Sequence, residues 1–305
     1  MKRFVVAALA CMGLLAGVAA ASTGSLPTGR IVFGMNHFCL EQGGNGGGKV
    51  PVDCGRGEIA VVDAGGSHLQ VLTHDKVTET SPRWSPDGRQ IAFIRPRAHT
   101  SSQIWVMNAD GSHQRVVVRS AIAHQLYGQD EVPSLDWSPN GRQIVFSAFT
   151  GPNGGRTQLY LASVRTGRVT RLTYTATGAT DPVWSPDGHW IAFVGAVAPD
   201  RIYLLSTKTH HIHVLGNATG MDLGWSPDST RLAYNSRGKL ELLNVVSRHY
   251  RSLRLYGEQP SWSPDGQWLV FVAGGYVNEI RPDGTGIRHV LHVDGQTRWN
   301  FQPDW

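Results

Sequence analysis

Short apolar runs recur along the chain without a polar alternate face: Ile91-Ala92-Phe93, Ile144-Val145-Phe146, Ile191-Ala192-Phe193, Leu232-Ala233-Tyr234 and Leu269-Val270-Phe271. A strand with one solvated face alternates apolar and polar positions, so an unbroken run predicts a strand covered on both sides. Each run follows a tight turn, and each turn follows a tryptophan. The copies read Trp84-Ser85-Pro86-Asp87-Gly88, Trp137-Ser138-Pro139-Asn140-Gly141, Trp184-Ser185-Pro186-Asp187-Gly188, Trp225-Ser226-Pro227-Asp228-Ser229 and Trp262-Ser263-Pro264-Asp265-Gly266. Serine first, proline second and, in four of them, glycine fourth suit a type I turn. A second hairpin is expected in each repeat, as at 104–108 with 114–119, 159–163 with 169–173, and 202–206 with 211–215. Four strands per unit of roughly 40–45 residues are the period of a β-propeller blade, and no helical period is present to support a solenoid.

The two ends of the chain carry one further copy between them. Gly29-Arg30-Ile31-Val32-Phe33 matches the strand that follows the turn, yet no tryptophan motif precedes it. The missing piece stands at Phe301-Gln302-Pro303-Asp304-Trp305. The expectation is an all-β, six-bladed β-propeller with four antiparallel strands per blade. Pairing of the N- and C-terminal strands in one blade would close the ring and remove the free sheet edge. Residues 30–305 are read as one propeller domain, 22–29 as a short linker and 1–21 as a signal peptide.

A proline stands two residues before the tryptophan at Pro82, Pro182, Pro260 and Pro303, while Leu135 and Leu223 depart from that pattern. On these motifs the chain resembles the TolB-like, WD40-like β-propeller repeat family over essentially its whole mature length. The resemblance implies an exported binding propeller. TolB proteins carry an additional α/β domain before the propeller, and the few residues between the signal and the first strand leave no place for it. Membership of the Tol–Pal machinery is therefore not expected. Similar repeats occur in prolyl-oligopeptidase-like peptidases and oligogalacturonate lyases. The peptidases need a Gly-x-Ser-x-Gly nucleophile turn, which this sequence lacks, so a peptidase is not expected. A lyase or hydrolase working in the propeller channel is the alternative to a non-catalytic scaffold.

Composition changes this picture little. With 41% hydrophobic and 17% charged residues the 305-residue chain can bury a large core and does not read as disordered. Lys2 and Arg3, the apolar stretch 4–18 and Ala19-Ala20-Ala21 form a secretory signal, predicting a periplasmic or extracellular protein. An uncleaved anchor over the uncharged residues 4–21 is the competing reading. No other segment is apolar enough to span a bilayer. Basic residues are scattered, so a nucleic-acid partner is not expected. Cys39 and Cys54 bracket the glycine-rich stretch 43–48, and in an oxidising compartment they are expected to form a disulfide contributing about 3 kcal/mol.

Propeller geometry sorts the candidate sites. The tight turns of each blade share one face, and the long connections 35–56, 120–132, 149–156 and 293–299 share the other, where partner binding is expected. Ser81, Asp181, Asp222, Gln259 and Gln302, with Glu258 beside them, should ring the channel mouth on that side. Trp299 is a candidate partner contact. The plainer account of the ring residues, and the weightier one, is that they cap strand ends. Two aspartates and one glutamate fall short of the six to eight oxygens of a calcium site. His210, His211 and His213 lack an assignable third companion and are placed in an exposed hairpin turn. No metal or cofactor is expected. The motif tryptophans are assigned to packing between blades, and Asp87, Asp187, Asp228 and Asp265 to the turns. The functional expectation is a monomeric, non-catalytic scaffold for a protein or cell-envelope component.

Overall fold

The computed structural model describes residues 29–42, 49–74, 77, 79–97, 101–121, 134–150, 156–197, 200–292 and 303–305; for 35–42, 49–56 and a few strand ends it describes the backbone only. The segment 1–21 expected to be a signal peptide, most of the expected linker 22–29, Trp299 and Gln302 lie outside these residues. Every sheet ladder is antiparallel, and the described residues contain no helix.

Six sheets follow one another along the chain. Blade 1 holds β1 (Arg30–Gln42), β2 (Lys49–Asp63) and β3 (Gln70–Val71); blade 2 holds β4 (Thr80–Trp84), β5 (Gln90–Arg97), β6 (Ser101–Asn108) and β7 (Arg115–Ala121). Blade 3 holds β8 (Leu135–Trp137), β9 (Gln143–Phe149), β10 (Thr157–Ser163) and β11 (Val169–Arg171). Blade 4 holds β12 (Thr180–Trp184), β13 (Trp190–Val194), β14 (Arg201–Ser206) and β15 (Ile212–Thr219). Blade 5 holds β16 (Met221–Trp225), β17 (Arg231–Ser236), β18 (Lys239–Asn244) and β19 (Tyr250–Tyr256). Blade 6 holds β20 (Glu258–Trp262), β21 (Leu269–Ala273), β22 (Tyr276–Ile280) and β23 (Arg288–His292). The expected six-bladed architecture is the one observed.

The apolar runs account for it. Side chains alternate across a strand, so each run sends its outer residues to one neighbouring blade and its middle residue to the other. Ile91 and Phe93 pack with Val32, Ile59 and Val61 of blade 1, whereas Ala92 and Ile94 pack with Leu135, Trp137 and Ile144 of blade 3. The same division recurs at Ile191/Phe193 against Ala192, and at Leu269/Phe271 against Val270. One apolar cluster lies between each pair of successive blades, and a sixth joins blade 6 to blade 1 through Trp268, Val270, Ile31, Phe33 and Trp305. At the same seam Val32 and Asp304 form an antiparallel bridge, each N–H donating to the other's carbonyl at 2.8 Å.

The repeated turn has one internal wiring. In blade 2 the Ser85 hydroxyl donates to Asp87 Oδ1 at 2.7 Å and accepts the Gln90 amide at 2.9 Å, while the Gly88 amide closes the turn on Ser85 O at 2.8 Å. Gly88 sits at φ +66°, which favours glycine. The serine-to-carboxylate or carboxamide bond recurs at Ser138–Asn140, Ser185–Asp187, Ser226–Asp228 and Ser263–Asp265. The Ser85 hydroxyl and the Arg89 amide hold the Asp87 carboxyl below its ordinary range. The motif aspartates are thus committed to their turns.

One connection differs from expectation. The connection 35–56 is read as a long loop, but its described parts 35–42 and 49–56 form a hairpin arm in which β1 and β2 stay paired from Met35↔Glu58 out to Gln42↔Lys49, with one irregularity between Asn36 and Phe38. Its β-prone residues Phe38, Leu40, Val50 and Val52 extend the ladder where glycine content had suggested a loop. The register sets Cys39 opposite Val52, and the side chains that would form a Cys39–Cys54 bridge are outside the described residues. Most of 120–132 and all of 293–299 are outside them as well.

Candidate functional site

The motif tryptophans end the innermost strands, and three of them tie one blade to the one before. The indole N–H of Trp84 donates to Arg30 O at 3.1 Å, that of Trp137 to Arg83 O at 3.1 Å, and that of Trp225 to Val183 O at 3.2 Å. Two break this pattern. Trp184 bonds instead to Gly188 O of its own turn at 3.4 Å, and the buried Trp262 Nε1 has no acceptor among the described residues.

Together the six tryptophans Trp84, Trp137, Trp184, Trp225, Trp262 and Trp305 line a cavity of about 630 Å³ on the propeller axis. The turn prolines Pro86, Pro139, Pro186, Pro227 and Pro264 form its rim, so it opens on the tight-turn face. Its floor is the residue before each tryptophan: Arg83, Asp136, Val183, Gly224, Ser261 and Asp304. The volume falls within the range of small-molecule and peptide-tip pockets.

The aspartates at and below the floor have a structural reason to be there. An innermost strand has no further strand on its channel side, so the N–H groups on that edge need acceptors. Asp304 Oδ2 accepts the Trp84 amide at 2.8 Å, and Asp136 Oδ2 accepts the Trp184 amide at 2.6 Å. Asp181 Oδ2 accepts the Leu223 amide at 3.1 Å, and Asp222 Oδ2 accepts the Gln259 amide at 3.2 Å. Each donor belongs to the blade after that of its carboxylate, so these four bonds staple the ring in one direction. Asp304 also reaches back, accepting the Ser261 hydroxyl of blade 6 at 3.1 Å.

Of the residues expected at the channel mouth, Ser81, Asp181, Asp222 and Gln259 occupy equivalent places three residues before their tryptophans. All four adopt left-handed backbone, at φ 54°, 51°, 56° and 56°. The ladders to the next strands break register at the same points, between Thr80 and Arg83, Thr180 and Val183, Met221 and Gly224, and Glu258 and Ser261. Such backbone costs about 1 kcal/mol or more per non-glycine residue, and its recurrence in four blades marks a shared bulge that turns these side chains toward the axis. They lie below the cavity floor and do not line it, and Glu258 is exposed. Arg83, Asp136 and Asp304 were not singled out from the sequence. The available signal was period two: a residue one before the tryptophan shares a strand face with the residue three before.

Four carboxylates share the channel with the Arg83 guanidinium, which favours the ionised form of each. Channel walls enclose them, and that burial pushes the Asp136 carboxyl up to about 7, against the pull of two backbone amides and Arg83. Burial also raises Asp304, Asp181 and Asp222, and Asp222 is raised further by Asp181 and Glu258. His210, His211 and His213 are exposed at the β14–β15 turn, with His213 edge-on to Trp190 at 5.6 Å. Among the described residues no group of three histidine, cysteine or acidic side chains is placed to hold a metal ion. No helix among them is long and apolar enough to cross a membrane.

Fold and channel define a six-bladed β-propeller with a tryptophan-ringed axial cavity. Residues 124–274 match the family description PD40, TolB beta propeller domain, so the chain resembles a TolB-like propeller. The chain is 26% identical over 241 residues to the Uncharacterized peptidase YuxL of Bacillus subtilis, covering 73% of this chain and 34% of that protein. It is 26% identical over 206 residues to the Tol-Pal system protein TolB of Francisella tularensis subsp. holarctica, covering 63% of this chain and 44% of that protein. The chain therefore matches between a third and a little under half of the length of these relatives. Among solved structures, TolB from Acinetobacter baumannii superposes with a TM-score of 0.67 at 19% identity, covering 91% of this chain and 66% of that one, a likeness of fold. The peptidase named among the relatives keeps an enzymatic reading open beside the scaffold.

Proposed function

We propose that this protein is an exported, non-catalytic scaffold whose axial cavity holds a segment of a protein or cell-envelope partner. The observation that carries the reading is the cavity itself, walled by six tryptophans and six prolines and held by bonds between blades. A rigid concavity of this kind orders little on binding and so loses little affinity to conformational entropy. The rival reading, a channel-centred lyase or hydrolase, needs a base and an acid converging on one point. The described lining contains no histidine, and its two carboxylates are each oriented by a backbone amide of the next blade rather than paired with each other as acid and base. Export, the Cys39–Cys54 disulfide and a monomeric state belong to the same proposal. So does a secondary contact surface formed by Ser81, Asp181, Asp222, Glu258, Gln259, Gln302 and Trp299 with the long connections.

A pull-down from envelope extracts tests it with two variants. Val183→Phe fills the cavity from its floor, and a chain shortened within 35–56 removes the hairpin arm from blade 1. Loss of the captured partner with Val183→Phe alone supports the cavity. Loss with the shortened arm alone moves the site to the opposite face, and catalytic turnover of a polysaccharide or peptide by the intact protein overturns the scaffold reading.

A further inference from the structure

We propose that the axial cavity is specific for a basic side chain presented on a peptide loop, its cation held at the floor between Asp136 and Asp304 and its aliphatic stem against the tryptophan and proline walls. This rests on the cavity being the binding site and goes further by naming the chemistry of what enters it.

Charge is the first argument. Along the channel, Asp136, Asp181, Asp222 and Asp304 are accompanied, among the described residues, by the single guanidinium of Arg83. Arg30, at the cavity's edge, is drawn outward to Asp63 at 3.9 Å and Gln70 at 3.5 Å. The axis therefore carries more acidic groups than resident cations, and a cation bound among them would favour their ionised forms against the burial that raises them, an attraction strengthened by the enclosing protein walls.

Geometry is the second. The two floor carboxylates are already oriented: Asp136 by the Trp137 and Trp184 amides at 2.8 and 2.6 Å, and Asp304 by the Trp84 amide and the Ser261 hydroxyl. A carboxylate has about four acceptor positions, so each retains capacity for a further donor. Above them the indole and proline walls suit the aliphatic stem of lysine or arginine, and indole faces attract cations. An anionic ligand would face the floor carboxylates at close quarters, and a fully apolar one would leave their remaining acceptor positions unfilled.

The test is selection of a random heptapeptide display library on the intact immobilised protein, with affinities of the selected peptides then measured by calorimetry. Enrichment of lysine or arginine at one fixed position is expected. Affinity should fall about tenfold or more in Asp136→Asn, as for a close desolvated charge pair, and rise in Arg83→Met, where a competing cation is gone. A merely structural role for Arg83 would not produce that rise. Thermal melts of each variant separate lost binding from lost folding. Selected peptides that occupy the cavity without a basic residue, or that bind Arg83→Met no better, overturn the inference while leaving the cavity as the site. Peptides that bind wild type and Val183→Phe equally overturn the site as well.

Discussion

Replacing Trp137 by phenylalanine tests whether the motif tryptophans act as ties between blades. Trp137 is 3% exposed, packs in the cluster between blades 2 and 3, and donates its indole N–H to Arg83 O at 3.1 Å. The substitution removes the donor and leaves that carbonyl without its partner, which costs about 1–2 kcal/mol. It also vacates roughly 40 Å³ beside the cluster, which at about 24 cal/mol per Å³ adds about 1 kcal/mol. The total is about 2–3 kcal/mol. Trp184 is the internal control. It is only half-buried, and its indole bonds to Gly188 of its own turn at 3.4 Å, so Trp184→Phe breaks no tie to blade 3 and should cost about 1 kcal/mol or less. For a chain of this length each kcal/mol moves the melting temperature by about 2–4 °C, giving a fall of about 4–12 °C for Trp137→Phe and under about 4 °C for Trp184→Phe. Calorimetry or urea unfolding followed by tryptophan fluorescence would measure both. Equal losses in the two variants would refute the inter-blade tie and reduce the motif tryptophan to a generic apolar filler.

Two further outcomes follow from the same geometry. The folded Asp136 carboxyl titrates at about 7 against an ordinary 3.8, so the protonated folded form is favoured. Its contribution is complete below about pH 4, is lost as pH rises toward 7, and is absent above that. At about 1.4 kcal/mol per unit the loss is at most about 4 kcal/mol, and channel water reduces it. In urea unfolding from pH 4 to 8 the wild-type midpoint should fall relative to that of Asp136→Asn, which stays neutral throughout, the charged groups facing this carboxyl being Arg83 and Asp304; parallel curves would reject the burial of this carboxyl. For the hairpin arm, Cys39→Ser should lower stability by about 3 kcal/mol under oxidising conditions. Under reducing conditions it should match wild type, and a difference that persists in reductant would show that no disulfide was lost.

Period and turn chemistry are local properties, and the order of residues along the chain is enough to reveal them. Tryptophan, serine, proline and a carboxylate or amide recur in one order because one turn wires them together, as Ser85, Asp87 and Gln90 illustrate. An apolar run such as Ile91-Ala92-Phe93 predicts a doubly covered strand because both faces meet another blade. The hairpin arm was hidden because Gly43 to Gly48 suggest a loop, while pairing along 35–42 and 49–58 depends on two short segments meeting in register. The left-handed residues Ser81, Asp181, Asp222 and Gln259 were equally hidden, since none is glycine and none announces its backbone angle.

What tertiary structure alone decided is the channel. Trp84 and Asp304 are bonded at 2.8 Å although 220 residues separate them, and no local pattern encodes a contact made only when six blades have been set around an axis. The same holds for Arg83 meeting four aspartates from four other blades, and for the cavity opening on the tight-turn face. Blade identity is written in short-range hydrophobic alternation and turn hydrogen bonds. The site is written in the ring's curvature, which sums small angles between blades and is carried by no single repeat.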